Sequence, residues 1–184
     1  PQYKWGQNFL IDLNLMNCLL DAAGLQPHDT VLEVGTGTGS LTELIAERAG
    51  GTVTVEIDKQ LAEIAASNLS KFQKISLIHT DILATKSTID PAVLAAVDKA
   101  CCHYNHPFKL VANLPYQIAS PLMINLLMDA NNPSGMFITI QAEVAKRMTA
   151  LPGTRDYGLL TILMQATGHV KQIRKLPPQA FWPA

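Results

Sequence analysis

No apolar run in this sequence approaches the roughly 18 residues that a membrane-spanning helix needs, and no succession of charged, apolar and small residues at the start resembles a secretory leader. We therefore expect neither a membrane protein nor an exported one, and read the chain as cytoplasmic. There is also no surplus of basic residues. Lys and Arg number 14 against 15 Asp and Glu, a formal charge of -1, so the overall balance does not advertise a nucleic-acid partner, although a local patch would suffice. Cysteine is scarce. Cys18, Cys101 and Cys102 make an odd count with two adjacent, which fits reduced thiols rather than a disulfide framework. The stretch "CCHYNH" adds His103 and His106 but lacks the paired spacing of a zinc site, so no metal is expected. The chain has no initiating methionine and stops at "PPQAFWPA" with no element closing it, which suggests a fragment of a longer protein.

What is present is a regular alternation. With 184 residues, 48% apolar and 16% charged, the chain suits one domain of residues 1–184 with a sizeable core. "TVLEVG" (30–35), "TVTVEI" (52–57), "ISLIHT" (75–80), "FKLVAN" (108–113) and "GMFITIQ" (135–141) are short, apolar and rich in β-branched residues, as strands buried on both faces are. Helix-like segments lie between them at 40–49, 59–69, about 90–100, 120–130 and 142–150. Asp58, and Ser40 or Thr38, are expected caps. The pattern predicts an α/β fold, a mostly parallel sheet with helices on both faces and ligands at the carboxyl ends of its strands. A long apolar segment, "YGLLTILMQATG", and a final strand candidate, "HVKQIRKLP", follow Gly153. Residues 83–107 form an unusually long connection that should hold a helix and a loop.

The turn after the first of these strands is "EVGTGTGS", with Gly35, Gly37 and Gly39. Glycine lets the backbone turn sharply and lets a ligand come closer than a Cβ allows. A dinucleotide fingerprint would want glycine at position 40, where this chain has serine, and Glu33 stands two residues before the first glycine. The nicotinamide reading is weakened accordingly. Glu56 ends the next strand about twenty residues on, where a carboxylate can accept both hydroxyls of a ribose. Asp81, in "HTDIL", can accept from an adenine amino group. Each acidic residue has a plainer reading as a helix cap, but three at successive strand ends point to an adenosine-containing cofactor.

One motif needs a further explanation. In "LVANLPYQIASPL", residues 110–122, an apolar strand runs into Asn113, Leu114, Pro115 and Tyr116 just where a parallel strand should end. Taken alone, the tetrad also reads as a capped turn with a packed tyrosine.

"GQNFLID", "EVGTGTGSLT", "VEIDKQLAEIA", "TDIL", "NLPYQIASPL", "QAEVAKRM", "YGLLTIL" and "PPQAFWP" follow one another in an order that resembles the KsgA-type ribosomal RNA adenine dimethyltransferases, over nearly the whole chain. The resemblance implies a Rossmann-like, S-adenosylmethionine-dependent methyltransferase that dimethylates N6 of adenosines in small-subunit ribosomal RNA, with a role in building that subunit. We expect it to be a monomer. The resemblance further implies that Gln7, Asn8, Phe9 and Leu10 close over the cofactor, that Gly35, Gly37 and Gly39 lie at its methionine end, and that Glu33 and Asn113 are also among the cofactor-binding residues. Glu56 with Ile57 would hold the ribose, Asp81 with Ile82 the adenine, and Asn113, Leu114, Pro115 and Tyr116 the reacting centre. Phe181 matches an aromatic residue that stacks on the target base. Trp5, Thr36, Gln117 and Ala119 depart from the usual residues without removing a polar group the chemistry needs. The family continues into another strand and a basic helical RNA-binding domain, so the sheet should lack its last strand here.

On this reading the tetrad has a chemical purpose. The lone pair of an exocyclic adenine amine is delocalised into the ring, and acceptors aimed at its hydrogens favour a pyramidal nitrogen. Asn113 Oδ1 and a nearby main-chain carbonyl suit that task, Pro115 fixes the chain direction without an N–H, and Tyr116 can stack on a base taken out of its helix. Lys146, Arg147, Arg155, Lys171, Arg174 and Lys175 are candidates for phosphate contacts, or equally for solvated faces. The six methionines read as core filling. Three rivals stay open: a large-subunit RNA methyltransferase, disfavoured by Leu114 where isoleucine is usual; a DNA adenine methyltransferase, which would prefer proline at 114; and an assembly factor whose methylation is secondary.

Overall fold

The β-branched runs do form strands, and the segments between them form the helices that cover the sheet. In the computed structural model, which describes residues 8–103 and 106–183, the elements are β1 (Phe9–Leu10), α1 (Leu13–Ala23), β2 (Thr30–Val34), α2 (Ser40–Ala46), β3 (Gly51–Glu56), α3 (Lys59–Leu69) and β4 (Ile75–His79). They continue with β5 (Leu83–Thr85), β6 (Thr88–Ile89), α4 (Pro91–Cys102), β7 (Lys109–Asn113), α5 (Ala119–Met128), β8 (Gly135–Thr139), α6 (Ala142–Met148), α7 (Leu159–Thr167) and β9 (Phe181–Trp182). The main sheet has the order β4-β3-β2-β7-β8, and every neighbouring pair is parallel. β2 sits where the chain turns from building one half of the sheet to building the other. That reversal opens a crevice outside the carboxyl ends of β2 and β7.

Side chains alternate across each strand, so the sheet feeds two cores. Val31 of β2 and Val111 of β7 pack with Leu15, Leu19 and Leu20 of α1 and with Leu41 and Ile45 of α2. Leu32, Val34, Leu110 and Ala112 face the other way, towards Val93 and Val97 of α4, Leu122 and Leu126 of α5, and Leu160 and Met164 of α7. Helices therefore cover both faces, as expected.

Caps set where the helices begin. Asp58 accepts from the N–H groups of Gln60 and Leu61 at 2.9 and 3.3 Å, as expected, and Asp90 accepts from Ala92 N at 2.7 Å to cap α4 ahead of Pro91. The expectation for α2 is corrected. Neither Thr38 nor Ser40 caps it; Gly39 does, at a φ of 94° and with no side-chain bond, because the glycine turn enters the helix through a left-handed residue.

Two further corrections concern chain direction. Residues 169–177, expected as a strand, are irregular. Their apolar residues, Val170, Ile173 and Leu176, recur every third position, which cannot place them on one face of a pleated strand. The 83–107 connection holds the expected helix, preceded by an unexpected antiparallel hairpin of β5 and β6; Tyr104 and Asn105 lie outside the described residues. β1 and β9 were also unforeseen. They pair antiparallel, Phe9 with Trp182 and Leu10 with Phe181, so the two ends of the described chain clasp each other. Among the described residues β8 bounds the main sheet, and no helix is long and apolar enough to cross a membrane.

At the amino ends of the strands, away from the crevice, Lys109 Nζ donates to Asp29 Oδ2 at 2.8 Å and to the carbonyl of Ala23 at 3.2 Å. This pair ties β7 to the loop before β2 and to the end of α1.

Candidate functional site

The site begins with the turn after β2. Gly35 N donates to Val55 O at 2.8 Å, which holds the turn against β3. Gly37 has a φ of 58°, and a Cβ there would lie 3.2 Å from the ring of Phe9. Only glycine allows that conformation and that approach without displacement.

Two carboxylates support this turn, and neither is free. Glu56, at the end of β3, accepts from Gly37 N through Oε2 at 2.8 Å and from Asp58 N through Oε1 at 2.9 Å. Burial raises its pKa, and the backbone N–H groups of Asp58, Gly37 and Ile57 counteract the rise. Glu33 lies deeper, at 1% exposure. Its Oε2 accepts from the hydroxyls of Thr42 and Thr54, both at 2.6 Å, while its Oε1 has no hydrogen-bond partner among the described residues. Burial outweighs those two bonds and lifts its pKa to about 7. Thr54 also meets the hydroxyl of Thr36 at 2.6 Å, so the network continues into the turn itself.

Across the crevice stands the tetrad that follows β7. Asn113 Nδ2 donates to the main-chain carbonyl of Asn8 at 2.7 Å, and the hydroxyl of Thr139, on β8, donates to Asn113 Oδ1. Asn8 Nδ2 in turn donates to the hydroxyl of Tyr116 at 2.5 Å. Leu114 is buried in the core, with its N–H on the carbonyl of Thr139 at 3.2 Å. Pro115 lies 3.7 Å from where a Cβ of Gly35 would sit, and Tyr116 stays 37% exposed at the rim. Phe9 stacks on Trp182, with ring centroids 6.2 Å apart.

These parts enclose a cavity of about 180 Å³, lined by Asn8, Phe9, Gly35, Gly37, Glu56, Ile57, Asp81, Ile82, Asn113, Leu114, Pro115 and Tyr116. These twelve of its eighteen lining residues are candidates from the sequence. Leu10 lines an adjoining cavity of about 190 Å³, which shares Phe9, Gly35, Gly37 and Asn113 with the first. Three candidates lie elsewhere. Glu33 sits beneath the turn, Gly39 packs against Leu69, and the half-buried Phe181 packs against the α1 core beside Leu10 because strand pairing turns it inward. Its neighbour Trp182 is the more exposed ring. Gln7 lies outside the described residues.

Sequence reasoning missed Val34, Val55, Leu61, Thr80, Gln117 and Ile118 on the wall, and Thr54 and Thr139 behind it. Thr80 and Leu61 adjoin motif residues and were within reach. Thr139 carried no local signal, since only the β7–β8 register puts it opposite Asn113. Asp81 Oδ1 accepts from Leu83 N at 2.9 Å, which orients the carboxylate at the cavity wall. Acidic acceptors on one side, apolar Ile57, Ile82 and Leu61 between them, and a glycine turn open to a second cavity together suit an elongated adenosine derivative.

The parallel sheet, the glycine turn of β2 and the polar tetrad after β7 define a Rossmann-like methyltransferase fold. Solved structures share it: a dimethyladenosine transferase from Plasmodium falciparum superposes with a TM-score of 0.75 at 24% identity, covering 95% of this chain and 58% of that one. The 23S rRNA methyltransferase ErmE superposes with a TM-score of 0.60 at 29% identity, covering 77% and 51%. The chain belongs to the ribosomal RNA adenine dimethylase family, whose model it matches over residues 2–184. It is 40% identical over 181 residues to ribosomal RNA small subunit methyltransferase A of Caldanaerobacter subterraneus, covering 98% of this chain and 64% of that protein. The protein of the same name from Levilactobacillus brevis is 40% identical over 178 residues, with 97% and 58% covered. The chain thus spans about three fifths of the length of these relatives.

Proposed function

We propose that this protein transfers two methyl groups from S-adenosylmethionine to N6 of adenosines in small-subunit ribosomal RNA, in the cytoplasm, as part of building that subunit. The observation that carries the reading is the fixed amide of Asn113 on the lining of a cavity that also presents Glu56 and Asp81.

On this reading Glu56 accepts from the ribose hydroxyls with the lone pairs that Gly37 and Asp58 leave unused, Asp81 accepts from the adenine amino group, and Ile57 and Ile82 flank the ring. Held there, the cofactor would supply an electrophilic sulfonium methyl, which would pass to N6 with a neutral thioether as leaving group and the nitrogen's proton lost to water. Asn113 Oδ1 accepts an N–H of the incoming amine and directs the nitrogen lone pair into the cavity. Tyr116, half-exposed at the rim, offers a ring for the displaced base, worth roughly 1–3 kcal/mol of stacking. No strong base is needed in the transfer itself, so positioning carries most of the rate. Leu114 favours the small subunit over the large one, as do the names of the relatives. Lys146, Arg147, Arg155, Lys171, Arg174 and Lys175 would meet phosphates, and charge reversal there should weaken subunit binding and flatten its salt dependence.

Calorimetric titration with S-adenosylmethionine, with NAD as the control, tests the first half. Saturable binding of the methyl donor alone, lost in Glu56→Ala, is the expected result. Transfer assays on isolated small subunits, isolated large subunits and duplex DNA test the second half; methylation of either of the latter two in preference to small subunits would overturn it.

A further inference from the structure

The hydroxyl of Thr139 donates to Asn113 Oδ1, yet Thr139 lies on a different strand and does not line the cavity. The two residues are partners in the parallel β7–β8 register, and the N–H of Leu114 reaches the carbonyl of Thr139 at 3.2 Å, so the backbone holds Thr139 beside the tetrad on two counts. A primary amide can turn over and exchange its oxygen and nitrogen at almost no change of shape. Here it is held one way round. The carbonyl of Asn8 can only accept, so Nδ2 must face it, at 2.7 Å. Oδ1 then faces Thr139, whose hydroxyl must donate.

We propose that Thr139 is a positioning residue: it holds Asn113 Oδ1 in the orientation that receives the target amine. The inference rests on the reading of Asn113 given above. An amide oxygen has two acceptor sites; Thr139 takes one and leaves the second for the substrate. Without the hydroxyl only the Asn8 carbonyl restrains the amide, and the oxygen loses its fixed direction. The second transfer should depend on this most, because a monomethylated amine keeps a single N–H with which to be aligned.

The test uses the full gene product with Thr139→Val, which keeps the shape and removes the hydroxyl, and Thr139→Ser, which restores it. With small subunits as substrate, Thr139→Val should lower kcat roughly tenfold, leave KM for the donor and for the subunit within about twofold, and release more monomethyladenosine. Thr139→Ser should recover the wild-type ratio of products. A merely structural role would instead reduce donor affinity and stability along with turnover. NMR of the Asn113 side-chain NH2, assigned by its disappearance in Asn113→Ala, gives a second reading that does not depend on activity. One sharp pair of signals is expected in the wild type and Thr139→Ser, and a broadened or shifted pair in Thr139→Val. Identical NH2 signals in all three, or a Thr139→Val enzyme with wild-type kcat, would overturn the inference. Wild-type protein that transfers nothing would instead overturn the functional reading, and the NH2 signals would still decide the role of Thr139.

Discussion

Asn113 Nδ2 hydrogen-bonds the carbonyl of Asn8 at 2.7 Å across a sequence separation of 105 residues. One bond thus brings the segment around β1 to the carboxyl end of β7, and the cavity has a wall that no single stretch of chain could supply. The pairing of β1 with β9 holds the same segment from its other side, with Phe9 stacked on Trp182.

The first prediction concerns Asn113 itself. Asn113→Ala removes the acceptor for the amine while leaving Glu56, Asp81 and the glycine turn in place. Turnover on small subunits should fall by about 10²–10³, the scale seen when a single polar group is removed from a reacting centre, with donor affinity changed only a few-fold. Single-turnover kinetics beside calorimetry would check this; unchanged turnover would remove Asn113 from the mechanism.

Glu56→Gln is nearly isosteric but replaces one accepting oxygen with an NH2. Both carboxylate oxygens receive backbone N–H groups, from Gly37 and Asp58, so the amide must set a donor against a donor at one of them. The variant should lose donor binding in calorimetry and about 1–3 kcal/mol of stability in urea unfolding. Retention of full affinity would mean that the ribose is held elsewhere.

Gly37→Ala places a Cβ 3.2 Å from Phe9 at a φ of 58°. We expect the Phe9 ring to be pushed from its stack on Trp182, with donor affinity reduced by about tenfold or more, while the sheet keeps its stability to within about 1–2 kcal/mol. Tryptophan fluorescence would report the loss of the stack.

Stability should depend on pH through Glu33. Its folded pKa, about 7, exceeds the reference value of 4.5, so between these limits the native state holds a proton that the unfolded state has released. The sign follows from linkage: this contribution is fully present below pH 4.5 and is lost as the pH rises through 7, a span worth about 3 kcal/mol. The raised pKa of Glu56 adds to the same trend. Urea midpoints of the unliganded protein should therefore fall between pH 5 and 8, and Glu33→Gln should flatten much of that slope. An equally steep slope in the variant would assign the titration to another group.

Asp29 and Lys109 provide a control far from the crevice. Their side chains are 9% and 20% exposed, and Asp29 Oδ2 also accepts from Gln26 N at 2.7 Å. Asp29→Ala leaves a largely buried ammonium without its partner, so a loss of about 3 kcal/mol is expected, with the donor affinity of the folded protein unchanged. Differential scanning calorimetry together with a binding titration would separate the two effects.

Much of this molecule is legible in its sequence because the signals are local. β-Branched runs at 30–35, 52–57 and 108–113 become strands because each is apolar enough to be buried on both faces, and Asp58 starts α3 because its side chain reaches N–H groups two and three residues on. The glycines of the turn announce it for the same kind of reason. Glu56 and Asp81 could be nominated because parallel strands deliver their last residues to one edge. The strand expected at 169–177 does not form, because its charge and apolar content resemble a strand while its spacing does not, and the depth of Glu33 was not legible because an acidic residue within a strand carries no local sign of how deeply it is buried.

Periodicity and turn chemistry by themselves determined the parallel α/β sheet, the edge at which the site forms, the glycine turn and the places of Glu56 and Asp81, while the family resemblance supplied the other candidates around the cavity. Only the tertiary structure decided which of those residues touch. It turned Phe181 against the core and left Trp182 on Phe9, buried Glu33 beneath the turn with Thr42 and Thr54, and set Thr139 against Asn113 through a strand register. Those contacts join residues remote in the chain, and their geometry is fixed by strand order and burial, which no local pattern encodes.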